Sequence, residues 1–539
     1  MTTKTNILDF WPIESPPRDN QIKALEWIQE NISKRFFILE APVGSGKSLI
    51  GVTFARYVDS FHRNKQGETN QKSMGNSWVI TPQKILQDQY MDDFADNELV
   101  KAKKLMGKGN YECKKAPVSC EVASTVLKCD CTCFKPEFER AMEYGNTIMN
   151  YHNMMAYSTF TDELPVKDLL VIDECHNIEN ILVDYDTIEI SSRQLMGEMG
   201  LRLPPNMNDL DSVYMWLQST VLSALFGKEE DVKEELRTLN VSNSSTGAEA
   251  LIRKRNYYSN LINNIKQLPK SVEEFKDTFV TYLTDKNDFV VKPLFPANAF
   301  RKLEGTAGRI LMMSGTIPDK EEFCQTLGID MSLATFLSVD SEFPAENRQV
   351  LYAPVMRMNY GWRDNFTGQE DMLDFIGMIL DKHSGESGVI HTTNFQIAIW
   401  LTEQIEKLGT HKVFHHNPQS NINREDAINS FLENDEPSVI ISPSITEGLD
   451  LHGDLGRFNI IAKLPYPFLG DAWVKTRMQL SDKWYQQKTL ISILQAIGRT
   501  TRSKDDYSET YILDSSWDML FTRIRHLLPQ WWLDGYSRI

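Results

Sequence analysis

The chain contains no apolar run that approaches the roughly 20 residues of a membrane-spanning helix. Its N-terminal sequence, MTTKTNILDFWPIESPPRD, lacks the basic and then apolar pattern of a secretory signal. An excess of basic residues is also missing, because the formal net charge is -17. This charge argues against a nucleic-acid coat that works by bulk charge, although it allows a basic groove on an acidic body. We expect a cytoplasmic protein without a membrane partner.

Cysteine is scarce as well, with seven residues, and five of them lie between Cys113 and Cys133. In a reducing compartment such a cluster favours a metal or iron–sulphur site over disulfides. The spacing lacks the paired C-x2-C knuckles common in zinc sites, so zinc is the weaker alternative to a 4Fe-4S cluster. Both groups need four ligands. The candidates are Cys113, Cys120, Cys129 and Cys133, with Cys131 as the spare thiol or as an alternative to Cys129.

With 539 residues the chain is too long for one ordinary core, so several domains are expected. One stretch organises the rest, EAPVGSGKS at Glu40 to Ser48, which follows the apolar run Phe36 to Leu39. A strand that ends in a Gly-rich turn and enters a helix directs backbone N–H groups at one spot, which suits a polyphosphate. Lys47 is suited to the β- and γ-phosphates, and the Ser48 hydroxyl to Mg²⁺. The predicted phosphate-binding residues are Ala41, Pro42, Val43, Gly44, Ser45, Gly46, Lys47 and Ser48.

This loop lacks the first Gly of the usual pattern, which is Ala41 here, and the mechanism does not depend on it. Upstream, Pro16 to Glu30 has the spacing of a short amphipathic helix with Arg18 and Gln21 near its start. The Gln21 amide offers the donor and acceptor that adenine requires, although a solvated helix start would have the same sequence. Downstream, Ser77 to Tyr90 predicts a strand, a turn and a helix start that suit either a nucleic-acid phosphate or an ordinary connection.

A second motif, DLLVIDECHNIEN, predicts a buried strand with Asp173 and Glu174 at its C-terminal end. Asp173 is suited to hold Mg²⁺ through its water shell, and Glu174 to orient or deprotonate an attacking water. His176 is expected to report the nucleotide state to a neighbouring segment. A capped helix start would also begin this way, but the combination with EAPVGSGKS favours catalysis.

The region from Ser191 to Lys292 shows helical periodicity and no clear strands, so a helical insertion is predicted. The α/β pattern resumes at Arg309 to Ile317. From about Pro344 a second set of alternating strands and helices predicts a second open parallel sheet.

The segment QAIGRTTR, Gln495 to Arg502, places Arg499 and Arg502 on one helical turn. They form either a salt-bridged surface turn or arginine fingers for the γ-phosphate held by the other domain. If ATP lies between the two domains, its binding closes the cleft and its hydrolysis opens it. Such a cycle is typical of a motor.

In this order the motifs resemble the XPD/DinG family of superfamily 2 DNA helicases over nearly the whole chain. The resemblance is carried by EAPVGSGKS, TPQKILQDQ, the cysteine insertion, NYHNMM, DECHN, MSGTI, ITEGLDLHGD, KLPYPF and QAIGRTTRSKDD. It implies an α/β fold of two RecA-like parallel-sheet motor domains, with an iron–sulphur insertion and a helical arch insertion in the first. The implied division is 1–100, 146–190 and 293–343 for motor domain 1, 101–145 for the iron–sulphur insertion, 191–292 for the arch, and 344–539 for motor domain 2.

The resemblance also implies roles for residues and cofactors. ATP binding and hydrolysis fall to Lys47, Ser48, Asp173, Glu174, Gln495, Arg499 and Arg502, and the coupling of hydrolysis to DNA movement to Gly448 and Asp450. The implied cofactors are ATP, Mg²⁺ and a 4Fe-4S cluster, although the cysteine spacing is compressed relative to the family. The implied activity is 5′ to 3′ movement on single-stranded DNA and separation of forked DNA by a monomer, with no loading protein identified. No nuclease domain fits before Pro16, so nuclease activity is not expected.

Two other functions use parts of the same sequence. A DNA-stimulated ATPase that remodels nucleoprotein without processive unwinding needs the same motor residues, so this alternative stays open. A nucleic-acid-binding module with an inactive ATPase is disfavoured by the intact Lys47, Asp173, Glu174 and Arg499.

Overall fold

The computed structural model describes residues 5–65, 74–130, 133–143, 145–160, 164–204, 206–207, 209–239, 245–317, 319–417, 422–443, 451, 453–498 and 505–539. The strands in chain order are β1 (Phe36–Glu40), β2 (Ser77–Thr81), β3 (Ala102–Lys104), β4 (Asn146–Asn150), β5 (Lys167–Asp173), β6 (Ile188–Ile190), β7 (Phe279–Leu283), β8 (Phe289–Pro293), β9 (Ala307–Ser314), β10 (Ala334–Ser338), β11 (Arg348–Met356), β12 (Gly388–His391), β13 (Lys412–His415), β14 (Ser438–Ser442), β15 (Phe458–Ile461), β16 (Ser508–Asp514) and β17 (Tyr536–Arg538).

The α-helices in chain order are α1 (Asp19–Glu30), α2 (Lys47–Lys65), α3 (Lys84–Phe94), α4 (Cys120–Thr125), α5 (Phe134–Glu143), α6 (Tyr151–Phe160), α7 (Ile178–Asp186), α8 (Leu210–Trp216), α9 (Leu222–Thr238), α10 (Ser245–Lys266), α11 (Val272–Thr278), α12 (Ala297–Glu304), α13 (Lys320–Leu327), α14 (Phe366–Lys382), α15 (Phe395–Leu408), α16 (Arg424–Leu432), α17 (Ala472–Leu480), α18 (Asp482–Ile497), α19 (Trp517–Ile524) and α20 (Gln530–Leu533). Two π-helical segments lie at Arg193–Glu198 and Leu217–Val221.

Two seven-stranded sheets form the framework, with the orders β10-β1-β9-β5-β2-β4-β3 and β13-β14-β12-β15-β16-β11-β17. Their strand pairs are parallel, as in β1 with β9 and β12 with β14. Strands β1, β2 and β14 are buried along their whole length, as expected of strands covered by helices on both faces. The predicted α/β architecture of two parallel-sheet domains is confirmed.

The parallel register brings the carboxyl ends of the central strands of the first sheet to one edge. Glu40 at the end of β1 is level with Ser314 at the end of β9, and Asp173 at the end of β5 is level with Met313. In open parallel sheets this edge is where ligands bind. The sheet therefore assembles EAPVGSGKS, DECH and MSGTI at one place.

The predicted absence of strands between Ser191 and Lys292 is wrong. Strands β7 and β8 form an antiparallel hairpin, and β6 pairs with β8 to make a three-stranded sheet. Helix α11 ends at Thr278, where the run FVTYL begins, and such β-branched and aromatic residues favour a strand. Asn287, with φ of 61°, supplies the left-handed turn residue of the hairpin.

A second observation concerns the start of the implied iron–sulphur insertion, 101–145. Its residues Ala102–Lys104 form β3, the edge strand that pairs with β4 in the first sheet. Three residues are too few to show a strand period, so no periodicity indicated this strand.

The two parallel-sheet domains meet along α17 and α18. Trp473 and Trp484 from these helices pack with Val183 of α7 and Leu294, which directly follows β8. This contact sets the second domain against the carboxyl edge of the first sheet and leaves a cleft between them.

Candidate active site

The phosphate loop connects β1 to α2 in the geometry that its sequence predicts. Gly44 and Gly46 have φ values of 78° and 72°, a region that glycine adopts without strain. A Cβ on Gly46 would lie 2.2 Å from Gln21 Nε2, so this glycine also permits close packing. Ala41 is fully buried, and its carbonyl accepts a hydrogen bond from Lys47 Nζ at 3.3 Å. The missing first Gly is therefore replaced without distortion.

The carboxylates of the DECH segment face this loop. Glu174 Oε1 lies 3.8 Å from Lys47 Nζ, and the Glu174 backbone amide donates to Asp173 Oδ1 at 3.1 Å. Burial, together with the neighbouring charge of Glu174, raises the pKa of Asp173 to about 6. Glu174 adopts a left-handed backbone conformation, φ 51° and ψ 48°, which is uncommon for a non-glycine residue and frequent at active sites.

A polar recess between the two motifs is lined by Ser48, Asp173 and Tyr90, with Asp92 and Asp93 at its outer side. The predicted Mg²⁺ residues, Ser48 and Asp173, thus share one recess. The Tyr90 hydroxyl is buried beside the side chains of Ser48 and Asp173. Burial, followed by the charge of Asp173, raises the pKa of Tyr90 far above its usual range.

A chain of polar contacts leads from the DECH segment to the second domain. His176 Nδ1 lies 2.8 Å from Ser314 Oγ and 3.3 Å from Glu174 Oε2. The Thr316 backbone amide donates to the same Ser314 hydroxyl at 3.2 Å. Gln495 Nε2 in α18 donates to Thr316 Oγ1 at 3.0 Å. The predicted reporter, His176, thus connects to Gln495 through the segment that follows β9.

Arg18 and Gln21 both contact the phosphate loop. Gln21 Nε2 donates to Ser45 O at 3.2 Å, and its Oε1 accepts from the Arg18 amide at 2.9 Å. The Arg18 guanidinium donates to Gly44 O at 2.8 Å and pairs with Glu342 at 3.1 Å. The Gln21 amide thus hydrogen-bonds to the phosphate loop, and adenine recognition stays a prediction.

Four predicted site residues, Arg499, Arg502, Gly448 and Asp450, lie outside the described residues. The described residue next to Arg499 is Gly498, which lines the interdomain cleft together with Val43, Thr316 and Gln495.

The cysteine insertion brings three of the predicted ligands together. The Cys113 thiol interacts with those of Cys129 and Cys133, and the Lys114 and Lys115 amides donate to Cys133 Sγ at 3.2 Å and Cys113 Sγ at 3.4 Å. Cys120 is disulfide-bonded, and Cys131 lies outside the described residues. Among the described residues no group of three or more His, Cys, Asp or Glu is arranged to hold a metal ion. If these thiols hold a cluster, a fourth ligand from Cys120 requires that its disulfide be reduced.

Several site residues were missed from the sequence. Tyr90, Ser314 and Thr316 are among them, and the Tyr151 hydroxyl donates to the Asp173 carbonyl at 2.9 Å. The signal that would have found Tyr151, Ser314 and Thr316 is position, because each follows or ends a strand at the edge where Lys47 and Asp173 lie, whereas Tyr90 lies within α3.

These features define a class of protein: an α/β protein of two parallel-sheet domains, with a candidate phosphate loop at the cleft between them. Two family models match the chain, a helicase C-terminal domain at residues 378–535 and the res subunit of type III restriction enzymes at residues 14–194. Within the described residues, no helix is both long and apolar enough to cross a membrane.

Among curated proteins, the chain is 21% identical over 450 residues to the Escherichia coli ATP-dependent DNA helicase YoaA, covering 74% of this chain and 69% of that protein. Among solved structures, an XPD helicase matches with a TM-score of 0.62 and 14% identity, covering 100% of both chains. Xpd4 of S. tokodaii matches with a TM-score of 0.56 and 14% identity, covering 97% of this chain and 100% of the other. The helicase C-terminal match, the similarity to YoaA and the XPD-like fold together support a superfamily 2 helicase of the XPD/DinG type.

Proposed function

We propose that this protein is an ATP-dependent DNA helicase that moves 5′ to 3′ on single-stranded DNA. The observation that carries the proposal is the alignment of Lys47, Asp173 and Glu174 at one sheet edge, with Gln495 of the second domain hydrogen-bonded beside them. The name of the E. coli relative, ATP-dependent DNA helicase, supports DNA as the substrate.

Each residue of the candidate site would have a separate role in ATP hydrolysis. Lys47 contacts Glu174 and the Ala41 carbonyl, and on binding ATP it would exchange these contacts for the β- and γ-phosphates. Glu174, once released from Lys47, can orient the attacking water and accept its proton. Ser48 and Asp173 would hold Mg²⁺, which offsets negative charge on the phosphates when bound.

Coupling to DNA is assigned to the second domain. Arg499 and Arg502 would meet the γ-phosphate, and Gly448 and Asp450 would link hydrolysis to DNA movement. Hydrogen bonds connect the first domain to α18 of the second domain. They run through His176, Ser314, Thr316 and Gln495. Loss of the γ-phosphate would then be transmitted across the cleft and move one domain relative to the other.

A 4Fe-4S cluster is proposed for Cys113, Cys129, Cys133 and reduced Cys120. When bound, it would crosslink the insertion through thiolate ligands. Visible absorption from iron–thiolate charge transfer and about four irons per chain by elemental analysis would support it. Stoichiometric zinc without iron would show a zinc site instead.

A strand-displacement assay on forked DNA tests the function. We expect displacement when the single-stranded tail has a free 5′ end and none when only a 3′ tail is present. DNA-stimulated ATP turnover without displacement of either substrate would indicate the alternative, a translocase that remodels nucleoprotein. Displacement from a 3′ tail alone would contradict the proposed direction.

A further inference from the structure

A buried ionic contact joins the two domains next to the active site. Glu179 lies on α7, six residues after Asp173, and its side chain is 7% exposed. Its carboxylate accepts from Arg477 at 3.1 Å, from Lys488 at 2.6 Å and from Trp484 Nε1 at 2.9 Å. We call these four residues the Glu179 joint.

The Glu179 joint is an unusual contact between two domains because its buried groups are charged. Arg477 is fully buried, and its Nε and NH1 have no hydrogen-bond partner among the described residues. One carboxylate faces two cations, so the buried charges do not balance. Apolar side chains of similar size at such a site commonly give equal or greater stability. Stability alone therefore does not account for these residue types.

Aromatic rings fix the direction of the Arg477 side chain. Its guanidinium lies 4.2 Å from the ring centre of Phe295 and 4.8 Å from that of Trp484. One turn earlier on α17, Trp473 Nε1 donates to Pro293 O at the end of β8, at 2.8 Å. Helix α17 thus contacts both the end of the β7–β8 hairpin and α7.

Both sides of the joint continue directly into catalytic motifs. Helix α7 starts two residues after His176, and α18 carries both Lys488 and, two turns later, Gln495. A helix is rigid over that length, so the orientation of Lys488 sets the position of Gln495. Gln495 in turn contacts Thr316 at the active site.

We infer that the Glu179 joint positions the QAIGR helix over the DECH segment, so that Glu179, Arg477, Lys488 and Trp484 act as positioning residues for ATP hydrolysis. The inference rests on the proposed function, because it concerns the rate of the proposed reaction. No motif of the sequence assigned a role to Glu179 or to its three partners.

The primary test is Arg477→Met in the full chain, measured as single-stranded-DNA-stimulated ATP turnover and as the thermal unfolding midpoint. We expect kcat to fall about ten-fold while the KM for ATP stays within about two-fold, because the phosphate loop is untouched. Arg523→Met is the matched control, since Arg523 pairs with Asp482 of the same α18 but is exposed and within one domain. Turnover of Arg477→Met within about two-fold of the control would overturn the inference.

A triple variant, Glu179→Gln with Arg477→Met and Lys488→Met, separates positioning from packing. It removes all the buried charge at once, so the unfolding midpoint is expected to return to that of the wild type while kcat stays low. Recovery of both quantities would show a merely structural contact and overturn the inference.

Hydrogen exchange of the α18 amides gives a readout that does not need turnover. A non-hydrolysable ATP analogue with Mg²⁺ should protect α18 in the wild type and not in Arg477→Met; equal protection in both would overturn the inference. A wild type without ATP turnover would refute the proposed function, and the exchange result would then decide the joint by itself.

Discussion

The two domains meet in two neighbouring places that are built from opposite kinds of contact. At the cleft, Gln495 donates a neutral hydrogen bond to Thr316, and polar and apolar side chains together line an open space. At the Glu179 joint, charged groups are buried among aromatic rings. A neutral hydrogen bond exchanges readily with water, whereas a buried charge pair is costly to separate. If the cleft opens and closes during ATP hydrolysis as proposed, the Glu179 joint is the domain contact expected to stay in place.

The largest effect is expected from the chemistry of the cleft itself. Glu174→Gln keeps the shape of the side chain but removes its ability to accept a proton. ATP turnover should fall by about 10² to 10⁴, as for loss of a general base. Binding of a fluorescent ATP analogue should persist, because Lys47 loses a competing partner. Glu321→Gln, on the exposed face of α13, is the control, and unchanged turnover in Glu174→Gln would exclude it as the base.

The next effect concerns the stability of the joint. Glu179→Gln leaves the Arg477 and Lys488 charges without their carboxylate, which should lower the free energy of unfolding by about 3 to 5 kcal/mol. Chemical denaturation followed by tryptophan fluorescence would report it, since Trp484 is at the site. A loss below about 1 kcal/mol would mean that the joint is no stronger than a surface pair.

A smaller effect is expected from the neutral contact of the cleft. Gln495→Ala should lower the free energy of unfolding by about 1 kcal/mol or less, because water can replace the hydrogen bond to Thr316. DNA-stimulated turnover should nevertheless fall, because the contact links the domains. The contrast between the two domain contacts would disappear if Gln495→Ala destabilised the fold as much as Glu179→Gln does.

The smallest effect is a pH dependence far from both contacts. Lys167, at the amino end of β5, donates to Thr147 Oγ1 at 2.9 Å, and burial lowers its pKa to about 7. Between pH ~7 and ~10 the unfolded chain binds more protons at this lysine than the folded chain, so stability should rise with pH across that interval. Thermal midpoints of the wild type and Lys167→Met measured across this range check it, and parallel curves would contradict it.

The parts of the fold that sequence reasoning predicted are those with a local signal. The phosphate loop, the DECH segment and the alternation of strands and helices are each contained in a short stretch. The β7–β8 hairpin was missed because a helical pattern up to Thr278 was extended through FVTYL. The Glu179 joint was missed for another reason: Arg477 is 298 residues from Glu179 in sequence, and only the packed domains bring them together.

The cysteine insertion shows a similar limit. The positions of the cysteines in the sequence indicated that they act as a group, and the structure brings Cys113, Cys129 and Cys133 together. The disulfide of Cys120 was not predicted from the sequence. Which thiols pair depends on the path of the chain between the cysteines and on the redox state of the thiols.

The most direct test of the central claim is ATP turnover by the wild type and Lys47→Ala, each with and without single-stranded DNA. The account predicts that DNA stimulates the wild type and that Lys47→Ala loses turnover in both conditions, because the phosphate charge is no longer offset. Lys407→Ala, at the exposed end of α15 and outside the motifs named above, is the matched control. Turnover by Lys47→Ala equal to that of the wild type would contradict the assignment of the site and of the motor built on it.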